Sequence, residues 1–149
     1  MTIEEFIKTL DTFVPFPDDD LENDTEKFLY RLMEVWKQMP DKEKSIPMIF
    51  RFMERYPDTH FGSPGPLVHA IESLGVRSYQ DQLQLSLLRR PTPLTIWMYN
   101  RVINTLTDPG IIGAHLQRLA LFARHPLANA ATRREAEAFL THQRGRLQE

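Results

Sequence analysis

Apolar residues recur at three- and four-residue spacing along most of the chain, and no stretch sustains the two-residue alternation of a half-buried strand. Near the start, Ile3, Phe6, Ile7 and Leu10 fall on one helical face. Thr2 and Glu5 have the spacing of a capping box, which predicts a helix over about 3–13. "VPFPDDD" stops it, because two prolines and three aspartates do not continue a helix. Asp24 or Thr25 opens a second helix, with Phe28, Leu29, Leu32, Val35, Trp36 and Met39 as its buried stripe. After "PDKEKSIP" the spacing returns in "MIFRFMERY", at Ile49, Phe52, Met53 and Tyr56.

Prolines and small polar residues divide the rest. In "HFGSPGPLVHAIESLG", Ser63 is placed as a cap and Pro64 as the first helical residue, with Gly75 as a left-handed stop. Ser78 and Asp81 open the next helix, whose core side holds Tyr79, Leu83 and Leu87 or Leu88. Thr92–Pro93 and Asp108–Pro109 are two further cap-then-proline starts. Asn129 or Thr132 caps a last helix, expected to fray near Gly145, over about 144–149. The pattern predicts one all-α domain over residues 1–149, made of seven or eight short antiparallel helices with an acidic loop at about 14–24. A bundle and a short HEAT-like array of helical hairpins both fit, since no repeat recurs at a fixed period.

Composition narrows the class. A hydrophobic share of 42% and a charged share of 26% are those of an ordinary globular chain, so the helices have a core to build. Cysteine is absent, which excludes a disulfide framework and a thiolate zinc site. The first residues carry acids where a secretory signal carries bases, and no apolar run approaches the ~18 residues of a membrane span. The expectation is a cytoplasmic protein. The net charge of −2 hides an asymmetry: residues 1–75 hold 15 acids and 8 bases, whereas residues 76–149 hold 5 acids and 10 bases, all arginine. The densest acidic stretch is "DDDLENDTE", residues 18–26.

Candidate chemistry is sparse. No HExxH is present, and no two of the five histidines stand three or four apart. His69 and Glu72 share a helix face and could act as an acid–base pair, although a histidine there more often bonds a nearby carbonyl. "GSPG" lacks the spacing of a nucleophile elbow, and "FGSPGPL" lacks the lysine and the N–H groups of a phosphate loop. "DDDLENDTE" lacks the glycine of a calcium loop. No catalytic residue, metal or cofactor is therefore expected. Arg89, Arg90, Arg133 and Arg134 could form a basic stripe, but without interleaved aromatics they do not indicate nucleic acid. In "PLTIWMYNRVINTL", Asn100 and Asn104 align one turn apart on a helix that is apolar nearly all round. Either they bond loop backbone, such as the turn at 60–66, or with Trp97 and Arg101 they line a groove for a partner.

Residues 58–104 also carry a resemblance. The matching positions are Phe61, Gly62, Pro64, Gly65, Pro66, Val68, His69, Ile71 and Glu72, followed by Arg90, Pro91, Thr92, Trp97, Met98, Asn100, Arg101, Ile103 and Asn104. Here the chain resembles the small all-helical immunity proteins of bacterial polymorphic-toxin and contact-dependent growth inhibition systems. The resemblance implies a non-enzymatic inhibitor that forms a heterodimer with a cognate toxin domain and blocks its active site. No nucleic acid, membrane or small-molecule partner is expected. The matched positions are mostly glycine, proline, cap and core types, so the toxin-binding surface is expected elsewhere. Many toxin domains are cationic nucleases, and Asp18, Asp19, Asp20, Glu22 and Asp24 are the residues expected to meet one, as a phosphate mimic. A general helical interaction scaffold is the alternative; an enzyme using His69 and Glu72 is the weaker one.

Overall fold

Caps and prolines set most of the helix boundaries. The computed structural model describes residues 1–148, and among them it holds eight α-helices, one short 3-10 turn and no strand. The chain is all-α, as the periodicity predicts. α1 (Ile3–Thr12) starts with the expected capping box: Thr2 accepts from the Glu5 N–H at 3.1 Å, and Glu5 accepts from the Thr2 N–H at 3.0 Å. Asp24 caps α2 (Thr25–Lys37) through the Lys27 N–H. The 3-10 turn Lys42–Ser45 leads straight into α3 (Ile46–Arg55), which therefore begins earlier than the apolar spacing suggests. The remaining helices are α4 (Pro66–Glu72), α5 (Val76–Arg89), α6 (Pro93–Asn104), α7 (Pro109–Ala123) and α8 (Ala130–Leu147).

Two boundaries differ from the sequence reading. Ser63–Pro64 does not start α4; Gly65 precedes it and Pro66 is its first residue. Gly62 and Gly65 both have positive φ, +120° and +92°, and the chain folds so tightly that a Cβ on Gly65 would meet the Phe61 carbonyl. That turn has no room to be helical, so the helix waits for the second proline. At the other end, α8 does not fray at Gly145 but runs to Leu147. Arg146 secures that last turn by donating to Asn104 Oδ1 at 3.2 Å and to the Leu106 carbonyl at 2.8 Å. Position 149 of the expected frayed end lies outside the described residues.

The chain forms two compact units, residues 1–82 and 83–149, the division falling within α5. In the first, α1 packs on α3 and on the 3-10 turn, while α2 packs on α4. Phe6, Leu10, Leu29, Trp36, Ile49, Phe50, Phe52 and Leu67 are fully buried there, each contributing roughly 1.5–3 kcal/mol of apolar burial. Trp36 keeps its indole N–H satisfied by donating to Ser45 Oγ at 2.7 Å, and Ser45 in turn donates to the Lys42 carbonyl. Val35, expected in the α2 stripe, is 43% exposed, and Met33 is buried in its place. In the second unit α8 packs on both α6 and α7, and α6 buries Ile96, Met98, Tyr99 and Ile103 completely. Among the described residues no helix is long and apolar enough to cross a membrane.

Candidate functional site

The acidic loop between α1 and α2 is anchored at its base by aromatic rings. Phe13 stacks on Phe28 with centroids 4.2 Å apart, and Phe16 meets both rings edge-on. The Phe16 N–H donates to Thr25 Oγ1 at 2.9 Å, tying the loop to the first residue of α2. Arg55 holds the other end of the segment by donating to the Leu10 carbonyl near the end of α1.

Within the loop the carboxylates divide by role. Asp20 accepts from the backbone N–H groups of Glu22 and Asn23 at 2.9 and 3.0 Å, and from the Asn23 side chain at 3.3 Å. Those donors, the Glu22 and Asn23 N–H groups first, hold its carboxyl below the usual aspartate range. Asp24 is the cap of α2. Asp18, Asp19 and Glu22 are exposed and accept no hydrogen bond from another described residue. Asp20, Glu22 and Asp24 line a shared hollow of about 360 Å³, whereas Asp18 and Asp19 do not. Lys27 and Arg31 of α2 line the same hollow, so its charge is mixed. Leu21, between Asp20 and Glu22, is 100% exposed.

The other candidates sit as follows. His69 is exposed on α4 and Glu72 is half-buried. Among the described residues no three His, Cys, Asp or Glu side chains come together to hold a metal. On α6, Asn100 and Asn104 do not bond the backbone of the 60–66 turn. Gln143 of α8 donates from one amide nitrogen to Asn100 Oδ1 at 2.8 Å and to Asn104 Oδ1 at 2.7 Å. The pair is therefore a fastener between two helices, which removes Asn100 from any partner groove. Trp97 and Arg101 do form a surface unit, the guanidinium lying 4.9 Å from the ring centroid.

Two polar groupings escaped the sequence reading. Gln143 stands on the buried face of α8 with Ala136 and Leu140, and a glutamine on that spacing was the available signal. The Tyr99 hydroxyl lies 2.7 Å from His115 Nδ1, a pairing of two apolar-looking helix positions that no local pattern marks. Burial raises the Tyr99 phenol above its ordinary range; burial first, and the Arg118 charge second, lower His115.

No family model matches the chain, and no curated protein or solved structure matches it either.

Proposed function

We propose that this protein is a non-enzymatic immunity protein, which binds a cognate cationic toxin domain in the cytoplasm and blocks its active site. The observation that carries this reading is the division of labour in the loop at 18–24. Asp20 and Asp24 fix its backbone, leaving Asp18, Asp19 and Glu22 as exposed carboxylates with no partner among the described residues. A loop ordered before binding loses less conformational entropy when a partner docks, so its charges convert more fully into affinity and selectivity. A nuclease active site accepts phosphate, and exposed carboxylates on an ordered turn offer it comparable charge without a scissile bond. The resemblance of residues 58–104 to immunity proteins supports the same reading, since its positions serve mainly the framework and leave the loop free to specialise.

The test begins with the native host. Tagged protein, cross-linked and purified, is expected to bring down one stoichiometric partner that is toxic when expressed alone. Co-expression of the wild-type chain should protect cells from it. The triple variant Asp18→Lys/Asp19→Lys/Glu22→Lys, which leaves both capping aspartates intact, should fold normally but raise the dissociation constant at least about 100-fold at low salt. An unchanged constant would remove the loop from the interface. Recovery of many unrelated partners would favour the scaffold reading, for which the stack of exposed Arg101 on half-buried Trp97 is the candidate anchor.

A further inference from the structure

The arginine-rich second unit carries an apolar groove with a charged rim. Leu116, Ala120 and Leu121 of α7 and Leu147 of α8 supply its apolar lining, in an open hollow of about 570 Å³. Leu121 is 66% exposed and Leu147 37% exposed. Arg124 and Arg144 also line it, and neither guanidinium bonds another described residue. Among the described residues no acidic side chain lines the groove.

We propose that this groove docks the acidic loop of a second copy of the same chain. Leu21 seats against Leu121 and Leu147, and the carboxylates beside it approach Arg124 and Arg144. The argument is complementarity between two features of one molecule. The groove is leucine-lined with two uncompensated cations. The loop presents one fully exposed leucine, Leu21, with the exposed acids Asp19 before it and Glu22 after it. Pairing two grooves face to face would instead crowd four arginines together, so a two-fold contact through this surface is disfavoured. The contact joins two different surfaces, the loop of one copy and the groove of another, so it builds either a reciprocal pair or a larger assembly that grows or closes into a ring. A single loop buries well below the roughly 1,200 Å² of a stable interface, so the association is weak, and its charge pairs make it salt-sensitive. Because the same loop serves the proposed function, toxin binding and self-association compete, and a toxin domain would draw the chain out of its assemblies.

Sedimentation velocity over a concentration series tests this with the full chain. At about 20 mM salt the average mass should rise with concentration, and at about 500 mM salt it should return to that of the monomer. Leu21→Ser, Arg124→Glu/Arg144→Glu and Asp19→Lys/Glu22→Lys should each weaken association at least tenfold while keeping wild-type circular dichroism. Mixing the Arg124→Glu/Arg144→Glu and Asp19→Lys/Glu22→Lys proteins should restore it, since each now presents the charge the other lacks. A chain that stays monomeric at low salt at every concentration overturns the proposal, as does association indifferent to the groove substitutions. The groove variant also separates this proposal from the immunity reading, because it should lose self-association while binding a captured toxin as tightly as the wild type does.

Discussion

Tyr99 and His115 share a short hydrogen bond, 2.7 Å from the phenol oxygen to Nδ1, at the packing of α6 on α7. The two rings meet edge-on, and Phe122 closes over Tyr99 from the same helix as His115. With the imidazole neutral and its proton on Nε2, the hydroxyl donates to Nδ1. Burial and the neighbouring Arg118 charge both resist a proton arriving there, which is why the His115 value is lowered from 6.5.

A pH dependence follows. Where the folded value lies below the unfolded one, the unfolded chain takes up the proton first as pH falls. The stability associated with neutral His115 is therefore present above about 6.5 and is lost as pH drops toward the folded value. Urea unfolding should show a midpoint that declines between about pH 7 and pH 5, with a shallower decline in His115→Gln. Tyr99→Phe should cost about 1 kcal/mol at neutral pH, the net worth of one hydrogen bond. The Tyr99 phenol acts in the opposite range: its value is raised, so its contribution is lost as pH climbs above about 10. An acid slope identical in wild type and His115→Gln would assign the sensitivity to another group.

The Gln143 fastener predicts a coupling rather than a simple loss. Gln143 is fully buried and Asn100 is 8% exposed, so Gln143→Leu strands the Asn100 oxygen without a donor. That substitution should destabilise by about 2–3 kcal/mol, the desolvation cost of an unmet buried polar group. Adding Asn100→Leu removes the stranded acceptor, so the double variant should lose less than the two single losses combined. Additive losses in a double-mutant cycle would mean the amides are not energetically linked.

What could be read in advance depended on how local its cause is. Thr92–Pro93 and Asp108–Pro109 start α6 and α7 where the sequence places them, because a side-chain cap and a fixed φ act within four residues. Ser63–Pro64 has the same outward form but fails, since Gly62 and Gly65 take positive φ on either side of it and fold the 61–65 backbone back on itself, which no helical turn does. Gln143 carries no local signal of what it bonds, because its partners lie 39 and 43 residues away. The acids of the loop were visible as charge. Which of them cap the backbone and which project is settled only by the turn that Asp20 closes over Glu22 and Asn23.

Gly65 and Gly75 differ in what an added methyl group would meet. Both have positive φ, +92° and +88°, so alanine is conformationally disfavoured at each, by about 1–2 kcal/mol for a left-handed residue and by more at Gly65, whose ψ of −175° lies where only glycine readily goes. At Gly75 nothing stands within 4 Å of an added Cβ, and that cost should be the whole effect. At Gly65 the methyl would collide with the Phe61 carbonyl, which is backbone and cannot swing aside. Gly65→Ala should therefore lose clearly more stability than Gly75→Ala in parallel denaturation curves. Equal losses would mean that the 61–65 turn opens freely.

The loop itself should show stability and recognition residing in different carboxylates. Asp24→Ala removes the cap on α2 and should cost about 1 kcal/mol, while Asp24→Asn, which keeps an acceptor oxygen, should recover most of it. Asp20→Ala should loosen the turn at Glu22 and Asn23, seen as faster amide exchange at those two residues. The Asp20 carboxyl is held low, so its contribution persists above the ordinary aspartate value of 3.8 and disappears only as pH falls through its folded value. Asp18→Ala, Asp19→Ala and Glu22→Ala touch no intramolecular bond to the side chain and should each change stability by less than about 0.5 kcal/mol. Those three are then the substitutions free to change binding alone. If they prove as destabilising as Asp24→Ala, the acids are part of the fold's own electrostatics and the loop is not a recognition surface.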